Sequence, residues 1–194
     1  MGVEDDDGFR LAGDNATPPT SSSYWVVDGL LLGGSYPGAH EPKKHEQKIR
    51  ALLDAGVRLF VNLMERDETD LRGRPFVPYA DPVLQLCPEA SCVRLPVQDL
   101  STPTVEQMQT ILDTIDSSMD DKRPVYVHCW GGVGRTGTAV ACWLLRHGLA
   151  DPTNILNALM ELRRQDRERG QRMSPETADQ QRFVKQWLAR ETDE

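Results

Sequence analysis

Short apolar runs alternate along the chain with longer segments in which apolar residues recur every three or four positions. The short runs predict buried strands, and the longer segments predict amphipathic helices. The predicted strands lie at 24–27, 30–34, 59–63, 92–97 and 125–128. The predicted helices cover 43–55, 104–119 and 135–147, with two more that begin at 151 and 174. Such alternation is typical of an α/β domain with a small, mostly parallel central sheet flanked by helices on both faces.

Local signals support several of these elements. Asp28-Gly29 between two apolar runs predicts a hairpin with a type I′ turn. Thr104 with Gln107 predicts a capping box. Four prolines interrupt residues 71–88, so this stretch is predicted to be an irregular surface insertion.

Composition divides the chain into one domain and two tails. Residues 1–23 are acidic and rich in serine and proline, which predicts a disordered N-terminal tail. Residues 24–190 are long enough for a single catalytic domain with a sizeable core, and 191–194 form a short C-terminal tail.

Charge and cysteine usage limit the function classes. A net charge of −8 disfavours nucleic acid and anionic membranes as partners. No apolar run approaches the roughly 18 residues of a membrane span, so we expect a cytoplasmic monomer without membrane insertion. The four cysteines show no zinc spacing, and we expect no metal and no cofactor.

The chemistry is concentrated in the stretch 125–137, where a predicted strand runs into Cys129 and a glycine-rich turn precedes a helix. Gly131, Gly132 and Gly134 allow successive backbone N–H groups to point at one centre, to which the helix N-terminus adds its positive end. The guanidinium of Arg135 offers a planar fork of donors that matches two phosphate oxygens. The sequence therefore predicts a phosphate-binding loop from residue 130 to residue 135, which includes Trp130 and Val133.

Cys129 is the predicted nucleophile of this loop. The groups that bind phosphate also stabilise a thiolate, which can attack phosphorus and form a phosphocysteine. The hydroxyl of Thr136 is predicted to donate to the sulfur, and His128 is predicted to hold the loop rather than act as a base. The alternative, a buried core cysteine beside a turn, would leave Arg135 and the glycines without a purpose.

Asp99 is the predicted general acid. It follows a predicted strand, and if that strand runs parallel to 125–128, its carboxyl end brings Asp99 beside Cys129. A positioned carboxylic acid can protonate the leaving oxygen, and the resulting carboxylate can then deprotonate the hydrolytic water. An ordinary surface position in a loop is the alternative for Asp99.

The run His128-Cys129-x5-Arg135-Thr136-Gly137 resembles the signature of the cysteine-dependent protein tyrosine and dual-specificity phosphatases. Residues 95–103 are similar to the general-acid loop of the dual-specificity group, especially the cyclin-dependent kinase inhibitor-associated phosphatases. The resemblance implies a protein tyrosine phosphatase-like fold and two-step, metal-free hydrolysis of phosphomonoesters. Cys-x5-Arg alone also occurs in rhodanese-like sulfurtransferases and arsenate reductases, but a sulfurtransferase would need neither Asp99 nor Thr136.

Two further segments are similar to pocket-bordering loops of this family. Residues 176–183 resemble the loop that supplies a water-orienting glutamine in tyrosine-specific phosphatases. Glu176 stands at that position here, which leaves Gln180 as the candidate, or a helix face without contact to the site. The segment 62–65 resembles a loop that borders the pocket, with solvated charge as the alternative for 65–70. A mixed-charge surface is favoured for the arginines after residue 162, although Arg163 or Arg164 could reach the pocket rim.

Two features that the sequence lacks limit the range of expected substrates. The long phosphotyrosine-recognition segment of tyrosine-specific enzymes is not evident, and the signature loop carries no added lysine for extra phosphates. We therefore expect a phosphorylated protein substrate, with phosphotyrosine first and phosphoserine or phosphothreonine next. A phosphoinositide or small-molecule phosphatase and a non-catalytic phospho-binding module are the alternatives.

Overall fold

A computed structural model describes residues 9–13 and 15–191. Its centre is a five-stranded sheet with the strand order β1-β2-β5-β3-β4. The strands are β1 (Ser23–Val27), β2 (Leu31–Gly34), β3 (Leu59–Asn62), β4 (Ser91–Arg94) and β5 (Val125–His128). Only the β1–β2 pair is antiparallel among these strands, while β2, β5, β3 and β4 are parallel to one another. The predicted α/β fold class, a mostly parallel sheet flanked by helices, is confirmed.

The helices begin and end largely where local signals place them. They are α1 (Pro42–Asp54), α2 (Ala80–Leu86), α3 (Val105–Asp120), α4 (Arg135–Arg146), α5 (Ile155–Arg163), α6 (Ala178–Lys185) and α7 (Trp187–Glu191). Thr104 and Gln107 form the predicted capping box at the start of α3. Gly148, with φ of 64°, follows the end of α4, where only a left-handed residue closes the helix easily.

Several boundaries differ from the sequence prediction. The turn after β1 is not type I′, because Gly29 has a positive φ and Asp28 does not. Helix α5 begins at Ile155 rather than at 151, since the Asp151 carboxylate accepts the N–H groups of Thr153 and Asn154 in a preceding turn. The last predicted helix begins at Ala178 rather than at 174, and Thr177 is its N-cap. It is divided into two short helices, α6 and α7.

The proline-rich stretch 71–88 is more than a surface insertion. It contains the two-turn helix α2, on which Val83 is fully buried. Tyr79, at the start of α2, is 4% exposed and reaches the end of β5. This stretch therefore supports the residues that follow the central strand.

The core lies on both sides of the sheet. Every residue of β5 is buried, which explains why the sequence of this strand shows no alternation of apolar and polar positions. Trp143 on α4 and Trp187 on α7 are among the largest fully buried side chains. Within residues 9–13 and 15–191, no helix has the length and apolarity needed to cross a membrane.

The predicted N-terminal tail falls partly outside the described residues, since 1–8 are not described. Its later part packs on the domain instead of lying free. The N–H of Ala12 donates to the carbonyl of Val26 at 2.9 Å, and the ring of Phe9 lies 5.2 Å from that of Trp143.

Candidate active site

The parallel strands deliver the candidate residues to one edge of the sheet. Because parallel strands share a direction, the segments that follow β3, β4 and β5 emerge at the same edge. Glu68 follows β3, Asp99 follows β4 and Cys129 directly follows β5. All of them meet around the start of α4.

The loop between β5 and α4 adopts a cradle conformation. Gly132 has φ of 70°, and a Cβ on it would lie 2.6 Å from the carbonyl carbon of Gly34. Only glycine fits this position, because side chains strain at that φ and the backbone of β2 leaves no room. The hydroxyl of Ser174 donates to the carbonyl of Val133 at 2.7 Å and so braces the far side of the loop.

The amides of the loop are left available. Among the hydrogen bonds of the described residues, none is donated by the N–H groups of residues 130–134. Unpaired amides at a helix N-terminus are suited to binding an anion.

The cradle opens into a cavity of about 390 Å³. It is lined by Leu71, Asp99, Leu100, Cys129, Trp130, Gly131, Val133, Gly134, Arg135, Arg169, Arg172, Glu176 and Gln180. Most of the predicted site residues are therefore together. Gly132 does not line this cavity, because it packs against β2.

Arg135 binds both Glu68 and the loop that carries Asp99. Its side chain is 2% exposed, and it binds the Glu68 carboxylate through both terminal nitrogens, with Nη2 to Oε2 at 2.9 Å. Nη2 also lies 2.9 Å from Oδ1 of Asp99, and Nη1 donates to the carbonyl of Val97 at 3.0 Å. Although burial opposes the charge, hydrogen bonding to Glu68 and the negative charges of Cys129 and Asp99 raise the pKa of Arg135. The guanidinium therefore remains charged and oriented toward the cavity.

Glu68 is itself held in place. Its Oε1 accepts the N–H of Glu65 at 2.7 Å, and Arg94 donates to the carbonyls of Met64 and Glu65 at 2.8 and 3.1 Å. The charged turn after β3 is therefore partly built into the site and is not only solvated charge.

His128 has a partner at each ring nitrogen. Its Nε2 lies 2.7 Å from the hydroxyl of Tyr79, and its Nδ1 lies 3.3 Å from the carbonyl of Cys129. Burial lowers the pKa of His128 to about 3, so the imidazole is neutral. A neutral ring that donates from Nδ1 and accepts at Nε2 can hold the Cys129 backbone.

Thr136 is fully buried, and its hydroxyl donates to the carbonyl of Gly34 at 3.4 Å. Its predicted contact with the thiolate stays a prediction.

Gln180 lies at the cavity wall, against Gly134 and the loop that carries Asp99. Its Oε1 accepts the N–H groups of Glu176 and Thr177, and its Nε2 donates to the carbonyl of Ser101 at 3.0 Å. The amide thus connects the start of α6 to the loop that carries Asp99. Its water-orienting role stays a prediction.

The pocket arginines differ from those considered in the sequence. Arg163 is fully buried and Arg164 pairs with Glu161 on the surface, whereas Arg169 and Arg172 line the cavity. The mixed-charge run after α5 gave no signal to choose among them. Glu68, Tyr79 and Ser174 were also missed, because their contacts join segments far apart in the chain.

Comparison with known proteins places these features in a family context. A model of the PTP-SAK family, described as the Swiss Army Knife protein DSP-PTPase phosphatase domain, matches residues 20–184. An uncharacterized protein of Methanocaldococcus jannaschii is 35% identical over 94 residues, which are 48% of this chain and 53% of that protein. The chain thus spans about half the length of the curated relatives it matches.

Two solved structures have a similar fold. The active form of Tk-PTP is 25% identical, with a TM-score of 0.65 over 87% of this chain and 97% of that one. Kinase associated phosphatase, crystallised with its catalytic site cysteine replaced by serine, is 20% identical, with a TM-score of 0.68 over 84% of this chain and 88% of that one. The second likeness concerns the fold alone.

Proposed function

Because this chain belongs to the PTP-SAK family of DSP-PTPase phosphatase domains, we propose that it removes phosphate from phosphotyrosine in proteins through a phosphocysteine on Cys129. The observation that carries the proposal is the arrangement of a buried cysteine, unpaired loop amides and a fixed arginine around one cavity. A phosphate dianion placed there would accept from the amides and from Arg135.

Phosphate binding rearranges the contacts of Arg135. In the structure Nη2 is shared by Glu68 and Asp99, and Asp99 is 46% exposed while Glu68 is 14% exposed. The exposed partner is the easier one to displace. The incoming phosphate therefore takes the place of Asp99 on the guanidinium, while Glu68 keeps the fork in position.

The first chemical step forms the thiophosphate bond. The Cys129 thiolate attacks phosphorus, and the bond between phosphorus and the ester oxygen breaks. Asp99, released from Arg135 and protonated, gives its proton to the departing tyrosine oxygen. Loop amides and Arg135 stabilise the charge on the equatorial oxygens throughout.

The second step restores the enzyme. A water molecule attacks the phosphocysteine, and the Asp99 carboxylate takes a proton from it. The sulfur–phosphorus bond breaks, inorganic phosphate leaves, and the thiolate re-forms. His128 is buried and neutral, so it takes no proton in either step.

The cavity rim favours an aromatic phosphoester. Leu71 and Leu100 line the cavity and are 91% and 56% exposed. Large apolar side chains that are exposed beside a polar pocket can bind the apolar part of a substrate, because contact removes apolar surface from water. The phenyl ring of phosphotyrosine offers such surface, whereas phosphoserine offers little.

The test is hydrolysis of a phosphotyrosine peptide in the presence of EDTA by wild type, Cys129→Ser and Cys142→Ser. Cys142 is a buried cysteine on α4 and serves as the matched control. We expect turnover by wild type and Cys142→Ser and none by Cys129→Ser. Phosphoserine peptide, a phosphatidylinositol phosphate and a sugar phosphate complete the panel; faster turnover of one of these would replace the assigned substrate class. Phosphate binding without any turnover would favour a phospho-binding module.

A further inference from the structure

A second cavity adjoins the one that holds Cys129. It has a volume of about 210 Å³, and Trp130 and Arg169 line both cavities. Its other walls come from the loop after β2, from α1 and from the stretch before α2. A substrate that is held at Cys129 and extends past Trp130 would reach this second space.

Buried charged side chains hold the backbone of the loop that carries Arg169. Arg163 is fully buried and donates to the carbonyls of Arg169 and Arg172 at 2.9 and 2.6 Å. Asp166, 3% exposed, accepts the N–H of Arg169 at 2.9 Å. A Cβ on Gly170 would lie 2.2 Å from the carbonyl oxygen of Arg163, so only glycine permits the turn. This construction fixes the backbone of Arg169 at the boundary between the cavities.

The guanidinium of Arg169 is weakly paired. Its one ion pair among the described residues is with Glu168, at 3.6 Å, and its side chain is 33% exposed. Its Cδ would lie 3.8 Å from a Cβ on Gly131, which places the side chain against the phosphate loop. It can therefore reach an anion next to the bound phosphate.

Lys48 adds a second positive charge. It lies on α1, lines the second cavity, and donates to the carbonyl of Tyr36 at 3.0 Å. Burial, together with the positive charges of Lys44 and Arg169, lowers the pKa of Lys48 against the opposing effect of Glu168. The carboxylate of Asp70 also faces this cavity, but Arg74 and His40 pair with it at 2.7 and 3.3 Å. An anion would relieve the repulsion between Lys48 and Arg169.

We propose that the second cavity is a subsite for an anionic side chain, a carboxylate or a second phosphate, beside the phosphorylated residue of a peptide. The signature loop carries no additional positively charged side chain that could bind this anion. Arg169 and Lys48 supply positive charge from other parts of the chain. The inference rests on the proposed function for the phosphopeptide, but the subsite is testable by binding alone.

The experiment measures affinity with Cys129→Ser as a non-hydrolysing background, so that it does not depend on turnover. Three phosphotyrosine peptides differ only in the flanking residues, which are glutamine, glutamate or phosphoserine. Calorimetry compares this background with versions that also carry Arg169→Gln, Lys48→Met or Lys43→Met. Lys43 is an exposed lysine on α1 outside the cavity and is the matched control.

We expect the glutamate and phosphoserine peptides to bind about three- to tenfold more tightly than the glutamine peptide. Arg169→Gln and Lys48→Met should each reduce that ratio, and Lys43→Met should leave it intact. Equal binding of all three peptides, or a ratio unchanged by both substitutions, would overturn the subsite. Selective binding of vesicles that contain a phosphatidylinositol phosphate, lost in the same variants, would overturn the peptide assignment.

The proposed function fails separately, through absence of turnover by the intact enzyme. If Arg169→Gln does not fold by circular dichroism, Lys48→Met and the salt dependence decide. The peptide preference should shrink as salt rises, because partly exposed charges are screened. A preference that does not change with salt contradicts the subsite.

Discussion

The carboxylate of Asp99 lies 2.9 Å from Nη2 of Arg135, so the candidate acid and the phosphate clamp are paired with each other. Such pairing holds the loop that carries Asp99 over the cavity. Under the proposed function, phosphate competes for the same nitrogen. Substrate binding then releases Asp99, whose carboxyl group can carry a proton to the leaving oxygen.

Asp99→Asn should separate binding from chemistry. We expect kcat for a phosphotyrosine peptide to fall about 10²- to 10⁴-fold, because no group protonates the tyrosine oxygen. The loss should be smaller for an aryl phosphate with a nitrophenol leaving group, because that oxygen needs less help from an acid. Vanadate should bind at least as tightly as to wild type, since the competing carboxylate is gone. Equal losses for both leaving groups would contradict the role of Asp99.

Glu68→Gln tests whether Glu68 positions the guanidinium of Arg135. Replacing the charged partner of a buried guanidinium should lower the free energy of unfolding by about 1 to 3 kcal/mol and weaken vanadate binding. Denaturant titration and vanadate inhibition measure the two effects. Glu65→Gln, at an exposed side chain of the same turn, is the control. Tighter vanadate binding in Glu68→Gln would show that Glu68 competes with phosphate and does not position Arg135.

Acid should destabilise the fold through His128. Its pKa is lowered from 6.5 to about 3, so below about pH 6.5 the unfolded chain takes up a proton that the folded chain does not. The free energy of unfolding should therefore fall as the pH drops from 6.5 toward 3, by about 1.4 kcal/mol per pH unit from this group.

Denaturant titrations across this range should give a shallower pH slope for His128→Gln than for wild type. His40→Gln, at a more exposed histidine, is the matched control for the loss of one imidazole. The same slope in His128→Gln and wild type would refute the assignment of a buried neutral ring.

Neighbouring glycines of the loop should respond differently to alanine. Gly132→Ala places a Cβ against the backbone of Gly34 at a φ of 70° and should cost about 2 kcal/mol or more. In Gly131→Ala the nearest atom is Cδ of Arg169 at 3.8 Å, so the fold should tolerate it. Thermal unfolding compares the two variants, and equal Tm values would contradict the described loop conformation.

The motif and the strand pattern were sufficient to predict the family and the placement of Cys129, Asp99 and Arg135 around one cavity. The family is confirmed by the match over residues 20–184. This worked because consecutive parallel strands fix which loop ends meet, and because glycines and an arginine after a cysteine have few other uses. The roles of these residues in the reaction stay predictions.

The supporting residues could not be found in this way. Glu68 and Arg135 are 67 positions apart and Tyr79 and His128 are 49 apart, and each pair meets only through tertiary packing. Arg163 illustrates the same difficulty. From the sequence, Arg163 was a candidate for the pocket rim. In the fold, Arg163 is buried beneath the loop that presents Arg169.

The most direct test of the phosphocysteine mechanism is to trap the covalent intermediate. Wild-type protein, mixed with a phosphotyrosine peptide in EDTA and quenched in acid within the first turnover, is digested and analysed by mass spectrometry. We expect a phosphate adduct on the peptide that contains Cys129, absent from Cys129→Ser and present in Cys142→Ser. Turnover without any adduct on Cys129, or an adduct on another residue, would contradict the phosphocysteine mechanism.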